Sequence, residues 1–257
     1  MLTLAVTLVL LLSLILYALL GGADFGGGIW DLLASGPRAS RQRQAIAAAL
    51  APIWEANHVW LILVVVLLFT GFPAGFAAMM TALSLPLTVM LFGIVLRGSA
   101  FMFRHHDSSP DPGPRGWTLV FGLSCLLTPF CQGVILGALA TGRIRVAQGR
   151  VTTGCFAGWL TPFALACGLF ALGLFAFLAA TYLTLDTRSQ PELQKDFRAR
   201  ALWSGLSLGP VAGLVLFTAR QDAPVIFSAW TSWWAPLLVG ATGCCAIGAL
   251  LALWWRR

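Results

Sequence analysis

Read for its alternation of apolar and polar positions, the chain falls into seven apolar runs joined by short polar connections. They cover about residues 2–20, 45–70, 74–96, 117–141, 151–185, 201–219 and 230–255. Several stay uncharged for more than ~18 residues, the length at which a membrane-spanning helix is expected. The pattern predicts an all-α integral membrane protein, a polytopic bundle of about seven spans forming one transmembrane domain over residues 1–257. Gly21-Gly-Ala-Asp-Phe-Gly-Gly-Gly28 follows the first run, and Gly71-Phe-Pro73 turns the second into the third. A polar connection, Arg97 to Arg115, carries His105, His106 and three prolines. Trp230, Trp233 and Trp234 at one end of the last run, with Trp254 and Trp255 at the other, suit an interfacial aromatic belt. Leu127-Thr-Pro-Phe130 recurs as Leu160-Thr-Pro-Phe163, a short echo that either marks a duplicated bundle or is coincidence. Pro129 and Pro162 are both expected to kink their helices.

Composition agrees with this pattern. Hydrophobic residues make up 59% of the chain and charged residues 10%, against about a quarter charged in soluble domains. The net charge of +7 does not point to nucleic acid, because the basic residues sit in the connections, where topology accounts for them. The connections after spans one, three and five, with the C-terminus, hold twelve Lys and Arg, and the opposite side holds four. Basic loops stay cytoplasmic, which places the N-terminus outside and the C-terminus inside. The first run lacks a basic leader and a small-residue cleavage pattern, so it reads as a retained span. Six cysteines lie in or at the ends of apolar runs without a Cys-x-x-Cys pair, and read as small buried hydrophobes.

The candidate chemistry centres on Ala51-Pro-Ile-Trp-Glu-Ala-Asn-His-Val-Trp60. Glu55 is an acid inside an apolar run, and such a group is costly enough to be a functional hypothesis by default. His58 lies one helical turn away, and Pro52 frees the carbonyl of Ala48 nearby. Burial should raise the carboxyl pKa toward neutrality and make Glu55 a proton carrier, with His58 as relay. The alternative is a neutral acid that only hydrogen-bonds a neighbouring helix. His58 as a haem ligand would need a second ligand from another helix. Asp24 sits among five glycines whose spacing does not match G-x-G-x-x-G and instead permits close helix approach. A hairpin turning between Pro37 and Arg43 would bring Asp24 and Glu55 to similar depth, ~18–20 Å above the turn. Arg97 and Arg104 read as interfacial residues that snorkel from the end of span three, with pairing to an acid or a cofactor carboxylate as the alternative.

Three segments resemble subunit II of the cytochrome bd-type quinol oxidases, including the cyanide-insensitive branch. They are Ala51-Pro-Ile-Trp-Glu-Ala-Asn-His-Val-Trp-Leu-Ile62, the Gly-Ala-Asp-Phe-Gly-Gly-Gly of residues 22–28, and Leu96-Arg-Gly-Ser-Ala-Phe-Met-Phe-Arg104. Trp159-Leu-Thr-Pro-Phe163 and Ala180-Thr-Tyr-Leu183 fit as well. The resemblance implies a helical subunit of a bacterial cytoplasmic-membrane complex that pairs with a larger subunit I. In the family the two b-type haems, the d-type haem and the quinol site belong to subunit I, and some members bind a structural quinone in subunit II. It also implies that Glu55 lies on a cytoplasmic proton route, with Asn57 and Trp60 beside it, and Asp24 matches an acid of the family. Combined with the reading of the residues themselves, Asp24 and His58 are expected to assist and Asn57, Trp60, Arg97 and Arg104 to support. Gly21 replaces the first acid of the family's Asp-Gly-Phe-Asp pattern, and Met102 stands where glutamate is common. Family members usually continue for two further spans beyond Trp254-Trp-Arg-Arg257.

The resulting expectation is a subunit of a quinol:oxygen oxidoreductase that carries no redox centre itself. The rival is a proton-coupled secondary transporter using Glu55, for which paired discontinuous helices in the two halves would be the mark.

Overall fold

The computed structural model describes residues 1–106, 115–230 and 232–255, apart from the side chains of residues 53–55, 105, 106 and 115. Within them the helices are α1 (Leu2–Leu32), α2 (Ala39–Gly71), α3 (Pro73–Ala82), α4 (Ser84–His106) and α5 (Arg115–Thr141). A small antiparallel hairpin, β1 (Val146–Ala147) and β2 (Arg150–Val151), precedes α6 (Pro162–Asp186). A 3-10 turn at Thr187–Ser189 leads to α7 (Pro191–Asp222), α8 (Pro224–Trp230) and α9 (Ala235–Trp255). Six of these, α1, α4, α5, α6, α7 and α9, are long and apolar enough to cross a membrane. The two arms of α2, Ala39–Pro52 and Ala56–Gly71, meet at 48° and make a seventh span if taken together. Pro52 lies at that bend, where it removes one helical hydrogen bond and crowds the carbonyl one turn back.

Three apolar runs are divided differently from the sequence pattern. The third, 74–96, breaks at Leu83 into α3 and α4. Pro86 cannot donate to the carbonyl of Ala82, so one continuous helix is disfavoured there. The fifth, 151–185, begins with the hairpin and turns, and its helix starts only at Pro162. Thr161 caps that start by accepting from the Ala164 N–H at 3.2 Å, and proline is well suited to the first helical position. Pro162 therefore initiates a helix instead of kinking one, whereas Pro129 lies inside α5. The two Leu-Thr-Pro-Phe copies thus occupy unlike places, one mid-helix and one at a helix start. The first run, expected to end near Leu20, continues as helix through the glycines to Leu32.

α1 is the hub of the bundle. It packs against α2, α5 and α6, while α4 packs on α5, α7 on α6 and α9 on α7. The glycines make this contact possible from three sides. A Cβ at Gly26 would lie 2.0 Å from the Phe175 carbonyl oxygen of α6, one at Gly28 2.2 Å from Cys125 Sγ of α5, and one at Gly27 2.8 Å from Leu50 of α2. Val6 meets Gly71, Gly21 meets Asn57 and Gly27 meets Leu50, so α1 and α2 form one antiparallel hairpin in continuous register. Its turn is tighter than the sequence suggested, since residues 39–43 already belong to α2.

One apolar cluster, including Phe25, Trp30, Leu50, Phe121 and Phe197, fills the half of the bundle where α1 ends. A second, around Leu83, Val134 and Ala164, fills the opposite end. There Asp222 of α7 accepts from Arg143 at 2.7 Å and from the Phe163 N–H at 3.1 Å. An acid against the first turn of α6 satisfies an amide that has no partner within its own helix. The outward faces are apolar, as in Leu8, Leu12, Phe92, Phe217 and Leu238, which is what contact with lipid requires. Cys125 and Cys131 are buried, but Cys155, Cys244 and Cys245 are exposed, contrary to the expectation of uniform burial.

Candidate functional site: a buried charged ladder on α1

Ser13, Tyr17, Asp24 and Asp31 follow one another on α1 at steps of four and seven residues, which places them on one face of the helix. All four are buried, and Asp24 is 0% exposed. Arg97 of α4 forms an ion pair with Asp24, both side chains fully enclosed. Two turns further along both helices, Arg104 grips Asp31 through two bonds of 2.9 and 3.1 Å. Acids and arginines share the same seven-residue step, so α1 and α4 run parallel and make two matched rungs. Phe121 of α5 stands between them, its ring centre 5.6 Å from the Arg97 guanidinium and 5.0 Å from that of Arg104. Phe25 and Phe101 face Arg97 at 5.5 and 5.8 Å.

This arrangement answers the cost of charge in lipid. An isolated arginine at this depth is expensive, whereas one matched to a carboxylate and ringed by aromatic faces is neutralised and held by cation–π contact. Arg97 and Arg104 therefore do not snorkel to an interface, as their position in the sequence suggested: each reaches inward to an acid of α1. Asp31 escaped the sequence reading because it lies beyond the apolar core of the first run. The signal was present in the identical spacing of Asp24 to Asp31 and Arg97 to Arg104.

α2 completes the inner rung. Asn57, 1% exposed, donates from Nδ2 to the second oxygen of Asp24 at 3.5 Å. Gly21 leaves the space for it, since a Cβ there would lie 3.3 Å from the Asn57 amide. The Glu55 side chain lies outside the described residues, while its backbone belongs to α2 between the Leu50 and Asn57 contacts, opposite the stretch of α1 that contains Asp24. His58 is half-buried beside Asn57 and within electrostatic reach of Asp24. Trp60, two residues on, is also half-buried. Further along the same face of α1, Gln132 of α5 donates to the Tyr17 hydroxyl at 2.5 Å.

At the end where α1 stops, a cleft of about 440 Å³ lies beside the Asp31–Arg104 rung, walled by Ile46, Leu50, Phe101, Met102 and Phe121. Arg104 keeps 23% of its side-chain surface exposed there. The outer rung thus borders a cleft and the inner one is enclosed. On the same end a polar chain ties α2 and the residue before it to α7: Arg38 to Asp196 at 2.7 Å, Gln42 to Asp196 at 2.8 Å and Arg200 to Gln42 at 2.8 Å. Bonding to Asp196 raises the pKa of Arg38 further above its ordinary value. Among the described residues no group of three His, Cys, Asp or Glu is placed to hold a metal ion. His58 is the one histidine whose side chain is described; it lies beside the inner rung.

The chain matches the family model of the cytochrome bd terminal oxidase subunit II over residues 2–257. The putative cytochrome bd menaquinol oxidase subunit II of Bacillus subtilis is 24% identical over 217 residues, covering 83% of this chain and 61% of that protein. The cytochrome bd-I ubiquinol oxidase subunit 2 of Escherichia coli K12 is 26% identical over 185 residues, covering 70% and 48% respectively. A shorter match, 31% over 124 residues, covers 48% of this chain and 36% of the cytochrome bd ubiquinol oxidase subunit 2 of Bacillus subtilis. This chain spans about half the length of the curated relatives it matches. In fold it is similar to a chain of the solved bd oxidase from Geobacillus thermodenitrificans, with a TM-score of 0.67, 19% identity and coverage of 98% of this chain and 81% of that one. With a match that runs along its whole length and a bundle of the same architecture, the chain belongs to the cytochrome bd terminal oxidase subunit II family.

Proposed function

We propose that this chain is the membrane partner of a haem-bearing subunit I in a quinol:oxygen oxidoreductase, and that it supplies part of the cytoplasmic proton route. The observation that carries this reading is the family match over residues 2–257, since the curated relatives are subunits of quinol oxidases. In this reading subunit I holds two b-type haems and one d-type haem, oxidises membrane quinol and reduces O2 to water. Some family members add a structural quinone in subunit II.

Glu55 is the proton carrier in this scheme. Its backbone lies opposite the stretch of α1 that contains the charge-matched Asp24–Arg97 centre. Asp24, locked to Arg97, serves as a fixed charge along the route, and His58 stands close enough to assist. The ends of α1, α4, α6 and α9 lie on the arginine-rich side, which is the cytoplasmic one under the positive-inside rule. The N-terminus then faces outward and the C-terminus inward. The transporter reading has no observation in its favour: the Leu-Thr-Pro-Phe copies, its one hint of repeated halves, are structurally unlike.

The test uses the protein purified with its natural partner, followed by a reduced-minus-oxidised spectrum and quinol-driven O2 uptake. Glu55→Gln should slow turnover and leave the haem spectrum intact. Unchanged turnover would remove Glu55 from the proton route, and a colourless preparation without a large partner would overturn the oxidase assignment.

A further inference from the structure

The inner rung contains more hydrogen-bonding capacity than its ion pair uses. Asn57 Oδ1 and Thr128 Oγ1 are enclosed and have no hydrogen-bond partner among the described residues, and the enclosed Arg97 Nε and Nη1 have at most the Cys125 thiol within reach. Asn57, Thr128 and Arg97 are 1%, 0% and 0% exposed. Arg97 and Asn57 are within a few ångströms of each other, because each bonds a different oxygen of the same Asp24 carboxylate. Thr128 faces α4 one turn away: a Cβ at Gly93, four residues before Arg97, would lie 2.3 Å from its hydroxyl oxygen. Buried polar groups left unpaired are costly, and a bundle would not keep several so close together unless something satisfied them.

We propose that these unpaired groups bind internal water, with one molecule bridging Arg97 and Asn57 beside Asp24 and another reaching Thr128. The chemistry of the unpaired atoms selects the ligand. Arg97 offers donors only and Asn57 Oδ1 is an acceptor, so the occupant must both accept and donate. An anion would serve Arg97 and leave Asn57 unsatisfied, while adding net charge to a site the Asp24–Arg97 pair has made neutral. A cation fails in the opposite sense, and an apolar group satisfies none of the atoms. Water meets all these demands and is the usual occupant of buried polar sites with two to four partners. The site lies level with the Glu55 backbone and about 10 Å, seven residues of helix, inside the Asp31–Arg104 rung. It hydrates the middle of the bundle whether or not protons pass along it.

Radiolytic footprinting of the intact complex in its native membrane tests this, because X-ray pulses convert bound water to hydroxyl radicals where it sits. Phe25 faces Arg97 and is 1% exposed, whereas Phe175, on the other side of α1, is 5% exposed and serves as the dry control. Phe25 should oxidise several-fold faster than Phe175 despite being the more enclosed ring. The excess should fall in Asn57→Leu and in Thr128→Val, with Phe175 unchanged. Equal rates for the two phenylalanines in the unaltered protein would overturn the proposal, and that comparison stands even if a variant fails to assemble.

Discussion

At the scale of single residues, the two rungs differ in a way that energies should register. The Asp24–Arg97 pair is enclosed on all sides, and removing one partner leaves the other charge unmatched in a low-dielectric interior. Arg97→Ala should cost about 3–5 kcal/mol, read as a fall in unfolding midpoint of the purified protein in detergent. Arg104→Ala should cost less, since 23% of that side chain is exposed and Asp31 borders the cleft. Combining Arg97→Ala with Asp24→Ala should destabilise by much less than the two separate losses together, because no charge is then stranded. Strict additivity would mean that the two side chains do not act as a pair. Arg97→Lys is not a conservative change here, since an ammonium lacks the planar fork and the stacking that three phenylalanine rings provide. The sequence made part of this legible. Asp24 stood out as a charge in an apolar setting, whereas both arginines read as interfacial, and which acid met which arginine depended on the parallel course of α1 and α4. No window of sequence carries that relation.

Among the helices, the glycines of α1 decide how closely the bundle closes, and their effect is position-specific. Gly26→Ala would drive a methyl group into the backbone carbonyl of Phe175, which cannot swing aside as a side chain can. α1 and α6 would have to separate, at about 1–3 kcal/mol. Gly243→Ala on α9 meets nothing within 4 Å and should leave the unfolding midpoint unchanged. Equal tolerance of both substitutions would show that α1 and α6 are not in the contact described. Each apolar run overlaps a long helix, because hydrophobic length is a local property. They could not separate a span from an apolar surface segment, which is why residues 151–161 read as helix and form a hairpin and turns. They also missed the break at Leu83, where Pro86 sits inside a run of unbroken hydrophobicity and acts through a single missing donor.

For the molecule as a whole, the asymmetry of charge sets a direction across the membrane, and the structure supplies a native reporter for it. α1, α4, α6 and α9 end on the side that carries Arg38, Arg41, Arg43, Arg188 and Arg198. The β1–β2 hairpin and the turns after it lie on the opposite side, between the end of α5 and the start of α6. Arg143, Arg145 and Arg150 fall there and run against the positive-inside count, but Arg143 is taken up by Asp222 at 2.7 Å. Cys155 is exposed in that segment, whereas Cys244 and Cys245 face away from the bundle along α9, where lipid would surround them. A membrane-impermeant maleimide added to intact cells should label Cys155 and spare the α9 pair. A cysteine introduced at Gln190, between α6 and α7 on the arginine-rich side, should react only after the membrane is opened. If Gln190→Cys reacted in intact cells and Cys155 waited for permeabilisation, the bundle would be inverted. The arginine-rich end would then face outward, and the route past Asp31, Asp24 and Glu55 could not draw its protons from the cytoplasm.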